Sequence, residues 1–281
     1  MKTFLDCIPC FFEQALRAGR AATDDEQLLK RILDQLGALL SHISLESTPP
    51  ETGRLVYRMV REITGSPDPF RELKRTSTQH ALALYPSLKR TIDESDDKLL
   101  TAIRIAMAGN VIDFGASATF DIDTAIEEAL EKDFAICDYD AFKHRLAESN
   151  SVLYIGDNAG ETVFDRLLIE QMNKPTTYVV REMPVINDAT AEDAVQAGID
   201  KVASIISSGT DAPGTIINTC SPEFRYTLNS SEFVIAKGQG NYEGLSNEKL
   251  TIFFLLRAKC QLIARNLGVT EGDFVLKAIN V

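Results

Sequence analysis

Apolar residues recur at spacings of three and four through most of the first 148 positions. Beyond that they gather into short continuous runs. In CFFEQALRAGRAA, DEQLLKRILDQLGALLSHI, ETGRLVYRMVREITG, FRELKRTSTQHALALYPSLKRTI and DDKLLTAIRIAMAGNVID the spacing predicts amphipathic helices. Thr23 or Asp24 is placed to cap the second, TPPE around Pro49 and Pro50 separates it from the third, and GSPDPF ends the third. Two more helical stretches flank DFAICDYD between Asp121 and Glu148. From about Asn150 the pattern changes. SVLYIG, TTYVVRE, KVASIIS, GTIIN and FVIAKG are short runs rich in Val and Ile, with helical segments between several of them. This alternation predicts parallel βαβ units around a buried sheet. TIFFLLRAKCQLIARNLG reads as a strand, a short loop and a helix. The expected fold is α/β, with a helical N-terminal subdomain over 1–148 and a Rossmann-like core over 149–281.

Charge adds more to this picture than composition does. The 281 residues suffice for one large domain or two modest ones, and 44% hydrophobic with 25% charged residues is ordinary for a globular protein. The formal net charge of −12 argues against sequence-independent binding to nucleic acid or to an anionic membrane, both of which require basic surface. An anionic substrate would need local positive charge from a metal ion or from a few placed Lys and Arg. The N-terminus has no apolar stretch of signal-peptide length, and no apolar run approaches the span of a bilayer. The expected location is the cytoplasm. Five cysteines do not make a disulfide framework, and in a reducing compartment they are thiols or ligands.

Three stretches carry candidate chemistry. In SVLYIGDNAGE a buried strand runs into Asp157, Asn158, Gly160 and Glu161, and a helix follows at once. Ligands of open α/β sheets sit at the carboxyl ends of strands, and the N–H groups at a helix start favour anions. A carboxylate, an amide oxygen and a positive helix end at one point suit a hard cation bridged to a phosphate. Asp157 and Asn158 also read as an ordinary turn and cap. In VINDATAEDA, Asn187 and Asp188 precede the next helix. If the two strands are neighbours, Asp188 joins Asp157 and Asn158 as a third oxygen donor, leaving positions for water and substrate. In VIAKGQGNYEG, Lys237 ends a buried strand before Gly238 and Gly240, where it can hold a phosphate as a point charge with Asn241 and Glu243 in support. The helical half adds AGNVIDFG, where Asn110 and Asp113 lie about one turn apart in an apolar segment and require polar company. The dinucleotide fingerprint G-x-G-x-x-G is absent.

Cys7 and Cys10 form a CxxC at the start of a helix, where a helix terminus lowers a thiol pKa. A lone pair is not a closed zinc site, and Cys260, Cys137 or Cys220 are the thiols that would have to join it. The pair reads as a structural thiol or metal pair, or simply as packed thiols.

GDNAGE, INDAT and KGQGNYE in this order, after a helical half containing GNVID, resemble the DUF89 family of metal-dependent phosphatases. These are also called damage-control phosphatases, or the ARMT1-like metal-binding domain. DCIPC near the N-terminus and the late RAKC resemble the microbial branch that carries a CxxC pair. The resemblance covers nearly the whole chain and implies one integrated three-layer α/β/α domain with a helical N-terminal subdomain. It implies a single divalent ion, Mg²⁺ or Mn²⁺, with Co²⁺ or Ni²⁺ in some members, held by Asp157, Asn158 and Asp188. It implies catalytic or substrate contacts from Lys237, Asn241, Glu161, Asn110 and Asp113. The implied reaction is hydrolysis of small phosphate monoesters, such as sugar phosphates or damaged phosphorylated metabolites, by metal-activated water. Glu161, Asp113 and Asp211 are all candidates to accept the water's proton. A rival mechanism makes Asp157 a nucleophile.

Two other classes compete. A carboxyl methyltransferase using S-adenosylmethionine predicts a glycine-rich first loop, where this chain has GDNAG, and an acidic residue ending the second strand, where it has Glu182. A CxxC metal or redox module predicts activity tied to Cys7 and Cys10 and none tied to Asp157.

Overall fold

A computed structural model of the chain describes residues 1–109 and 122–281. Its first half is helical: α1 (Cys7–Ala22), α2 (Glu26–Leu40), α3 (Pro49–Thr64), α4 (Arg71–Glu94), α5 (Lys98–Ala108), α6 (Ile122–Glu131) and α7 (Tyr139–Glu148). Local chemistry sets the boundaries. Asp25, rather than Thr23 or Asp24, caps α2 by accepting from the backbone N–H groups of Gln27 and Leu28. Thr48 and Glu51 form a reciprocal capping box, so Pro49 and Pro50 open α3 instead of merely separating it from α2. Phe11, Ala15, Ile32, Leu36, Val56 and Val60 bring α1, α2 and α3 into one apolar cluster that also contains Val185 of the second half.

The second half alternates strands and helices: β2 (Val152–Ile155), α8 (Thr162–Met172), β3 (Thr176–Val180), α9 (Ala191–Gln196), β4 (Ser204–Ser207), α10 (Pro222–Ser230), β5 (Val234–Lys237), α11 (Gly238–Leu245), β6 (Ile252–Arg257), α12 (Gln261–Leu267) and β7 (Phe274–Ile279). With the short β1 (Ile136–Cys137), they form a seven-stranded sheet in the order β1-β7-β6-β5-β2-β3-β4. Strands β2 to β6 run parallel; β7 is antiparallel to β6, and β1 runs with β7. Along β2, Val152 and Tyr154 enter one apolar cluster with α5, α7 and α8, while Leu153 and Ile155 enter another with α10, α11 and α12. The sheet is therefore covered on both faces, which explains why β2 and β5 are apolar without alternation. No helix of the described residues is long and apolar enough to cross a membrane.

Two readings of the sequence change. GTIIN is not a strand: it is a loop ending in a 3-10 turn, Ile217–Thr219. Gly214 takes φ 134° there and packs against the Gly240 carbonyl, a backbone path that a side chain would obstruct. The strands β1 and β7, to which the apolar pattern assigns no element, extend the sheet beyond β6. The chain leaves β2 toward β3 and β4, then returns to β5 on the other side of β2. This makes the carboxyl ends of β2 and β5 a topological switch point, where α/β sheets hold their ligands.

Candidate active site at the switch point

Backbone bonds draw two loops together at that point. Ala189 donates its N–H to the Asp157 carbonyl at 2.7 Å and Ala159 donates to the Asn187 carbonyl at 2.8 Å. Asn158 and Asp188 thus pair as an isolated antiparallel bridge. Before the bridge, Ile186 sits at φ 46°. That is strained for a β-branched residue and reorients the chain just before Asn187 and Asp188. The result places Asp157, Asn158 and Asp188 side by side on the floor of a cleft of about 560 Å³.

Buried cations hold this floor from below. Arg181, directly after β3, is 2% exposed. Its Nε donates to Asp188 Oδ2 at 2.8 Å, its Nη1 to the Thr215 hydroxyl at 3.2 Å and its Nη2 to Asn241 Oδ1 at 3.1 Å, with Asp157 Oδ1 4.0 Å away. Asn241 in turn donates to the carbonyls of Gly156 and Lys237. Asn241 is thus a buried brace between β2, β5 and Arg181. Lys237 is fully buried. Its ammonium donates to Glu161 Oε1, to Asp165 Oδ1 at 2.6 Å and to the Ala106 carbonyl at 2.9 Å. Asp165 also accepts from the hydroxyls of Tyr154 and Tyr178, each at 2.7 Å. Lys237 and Glu161 therefore lie beneath the cleft and do not line it. This placement differs from a lysine reaching out to hold a phosphate. A lysine ending a strand buried on both faces is enclosed with it, and two carboxylates are supplied to receive it. Asn110 and Asp113 lie outside the described residues.

The electrostatics of the floor are unbalanced. Burial, then the neighbouring Asp188 and Glu161 carboxylates, push the Asp157 carboxyl up to about 8. Burial also raises Asp188, with Arg181 pulling against it. Among the described residues, the carboxylates of Asp157, Glu161, Asp165 and Asp188 pack together with Arg181 and Lys237, and Lys259 acts on Asp157 and Asp188 from the cleft side. The carboxyl groups outnumber the cations around them, an imbalance that a bound cation would relieve. Among the described residues no three His, Cys, Asp or Glu side chains stand together as a metal-ligand set. The cleft floor offers two carboxylates and an amide oxygen, an all-oxygen set suited to Mg²⁺ or Mn²⁺. The residues present fit such an ion.

The cleft wall carries two features that the motifs only partly signalled. Lys259, in the loop after β6, is exposed in the cleft and close enough to draw down both Asp157 and Asp188. Its signal was the RAKC stretch, read only for its cysteine. Cys7, Cys10 and Cys260 line the same cleft. Burial holds the Cys7 and Cys10 thiols above their usual value, against the lowering expected at a helix start. Among proton-acceptor candidates, Asp211 is committed elsewhere. It takes Arg54, Arg58 at 3.1 Å and Arg61 at 3.3 Å, all from α3. Burial works against its charge, but Arg54 and Arg58 hold it below the usual carboxylate range.

The chain is similar to known proteins over nearly its whole length. A family described as the damage-control phosphatase ARMT1-like domain matches residues 3–275. A damage-control phosphatase of Pyrococcus horikoshii is 35% identical, covering 98% of this chain and 97% of that protein. One of Archaeoglobus fulgidus is 34% identical over 97% of this chain and 98% of its own length. The crystal structure of a DUF89 family protein from P. horikoshii superposes with a TM-score of 0.90 at 34% identity and 98% coverage of both chains. The chain therefore belongs to the family of damage-control phosphatases built on the ARMT1-like domain.

Proposed function

We propose that this phosphatase hydrolyses small phosphate monoesters using one divalent ion, Mg²⁺ or Mn²⁺, held by Asp157, Asn158 and Asp188. The observation that carries the reading is the floor of the cleft: two carboxylates and an amide converge at the switch point, in a cluster where carboxyl groups outnumber cations. A bound ion would supply Lewis-acid polarisation of the phosphoryl group and a more acidic water. The chain's own residues do the rest. Arg181 fixes one oxygen of Asp188, so the carboxylate presents the other to the cleft. Lys259 faces the two aspartates and takes the phosphate dianion as a point charge. The cleft volume suits a small metabolite and not a polymer. Asp157 serves better as a ligand than as a nucleophile, because the crowding that raises its pKa is relieved by a cation.

The test is hydrolysis of p-nitrophenyl phosphate with EDTA and with Mg²⁺, Mn²⁺, Co²⁺ and Ni²⁺ in turn. Turnover is expected only with metal. Turnover unchanged in EDTA contradicts the reading. Lys259→Ala should raise KM for the ester by about ten-fold or more, the scale of a lost charge-assisted contact, while leaving the melting temperature unchanged because Lys259 is exposed. Saturation kinetics beside a thermal melt checks this, and an unchanged KM would remove Lys259 from the substrate contacts.

A further inference from the structure

The Asn158 side chain has two faces of opposite chemistry, and only its oxygen serves a cation. Its Nδ2 donates to Asp157 Oδ2 at 3.2 Å and to Glu161 Oε2 at 3.1 Å. Glu161 is ion-paired with Lys237, and a carboxylate oxygen only accepts, so an amide oxygen turned toward Glu161 would meet repulsion. The nitrogen faces the carboxylates, and Oδ1 is left for the cleft. Glu161 is 1% exposed, and its other oxygen is held by the fully buried Lys237. Lys237 is itself fixed by Asp165 and by the Ala106 carbonyl of α5. A chain of buried contacts thus runs from α5 and β5 through Lys237 and Glu161 to the Asn158 amide.

We propose that Glu161 is a positioning residue that decides which atom of Asn158 faces the metal, and that Lys237 holds Glu161 in that role. The inference rests on the metal reading above. It reassigns two residues that the motif pattern offers as substrate contacts. It also accounts for a carboxylate kept next to the floor yet away from the cleft surface.

The test exchanges single atoms. In Glu161→Gln, Lys237 keeps an oxygen to donate to, which turns the new amide nitrogen toward Asn158. Asn158 must then answer with its own oxygen and present nitrogen to the metal. Glu161→Met removes the same charge but offers no donor, so nothing turns the Asn158 amide round. Mn²⁺ binding is measured by isothermal titration calorimetry on the full-length parent and each variant, with thermal unfolding to verify folding. Glu161→Gln is expected to bind Mn²⁺ about 10- to 100-fold more weakly, the range typical when a partner of a metal ligand is lost. Glu161→Met should lose clearly less. Adding Asn158→Asp to Glu161→Gln should restore most of the affinity, because a carboxylate accepts from Gln at one oxygen and binds metal with the other. Equal losses in the Gln and Met variants, or no recovery in the double variant, would overturn the positioning role while leaving the metal reading intact. A parent protein that binds no Mn²⁺ would overturn both.

Discussion

Asp157→Asn should make the metal-free protein melt higher than the parent at pH 8 and should remove its metal-dependent phosphatase activity. The two effects have one cause. Burial and the adjacent carboxylates hold the folded-state pKa of Asp157 near 8, far above its unfolded value. The folded state therefore keeps a proton that the unfolded chain gives up. Below about pH 4 both states are protonated and the site costs nothing by this route. As pH rises toward 8, the unfolded carboxylate ionises freely while the folded one resists, and stability falls; above 8 the loss is complete. The cost is on the order of a few kcal/mol once coupling to Asp188 is allowed for. Asparagine escapes it at every pH. At about 2–4 °C per kcal/mol for a chain of this size, the variant should gain several degrees at pH 8 and little at pH 5. The activity moves the other way. Losing a carboxylate ligand weakens stabilisation worth several kcal/mol at the phosphoryl group, or about a thousand-fold in rate. Melts at pH 5 and pH 8 in EDTA, with turnover measured in Mn²⁺, check both halves. A variant that melts lower than the parent at pH 8, or keeps its turnover, would contradict the account. The trade of stability for function is common at such sites.

Lys237→Met should be the most destabilising single change in the site. It leaves Glu161 and Asp165 buried at 1% and 0% exposure without the ammonium that both address. Burial works against the charge on Lys237, yet the two carboxylates outweigh it and keep its pKa above the usual lysine value. Removing one partner from a buried ionic cluster costs about 3–5 kcal/mol, since the remaining charges stay desolvated. The expected fall in melting temperature is about 10 °C on the same scaling. A lysine whose task was to hold substrate phosphate would behave differently: KM would rise and stability would hold. Thermal melts and saturation kinetics on one preparation separate these outcomes, and an unchanged melt with a raised KM would return Lys237 to the substrate.

The strands β2, β3, β4, β5 and β6 were legible because they are short and apolar, with β2 and β5 buried on both faces. GDNAGE and INDAT were legible as neighbours because consecutive parallel strands pair side by side. GTIIN misled because Thr215 and Ile216 look like strand residues, whereas the loop is shaped by Gly214 and by the Arg181–Thr215–Asn241 network, contacts between residues far apart in the chain. Arg181 went unnoticed for the same reason. One arginine after a strand carries no pattern, and only the fold shows that Asp188, Thr215 and Asn241 surround it. Lys237 is enclosed beneath the cleft while Lys259 is exposed in it, a difference of burial that residue type does not reveal. Asn110 and Asp113 lie outside the described residues.

The central claim is that one divalent ion sits between Asp157, Asn158 and Asp188. Anomalous diffraction from crystals of the full chain grown with Mn²⁺ tests it most directly. The account predicts a single strong peak within about 2.0–2.3 Å of an oxygen from each of these three side chains, the coordination distance of a hard divalent cation. The Asn158 atom in contact should be the oxygen, with its nitrogen toward Glu161. A peak at Cys7, Cys10 or Cys260 with the three oxygens empty, or no peak in the cleft at all, would contradict it.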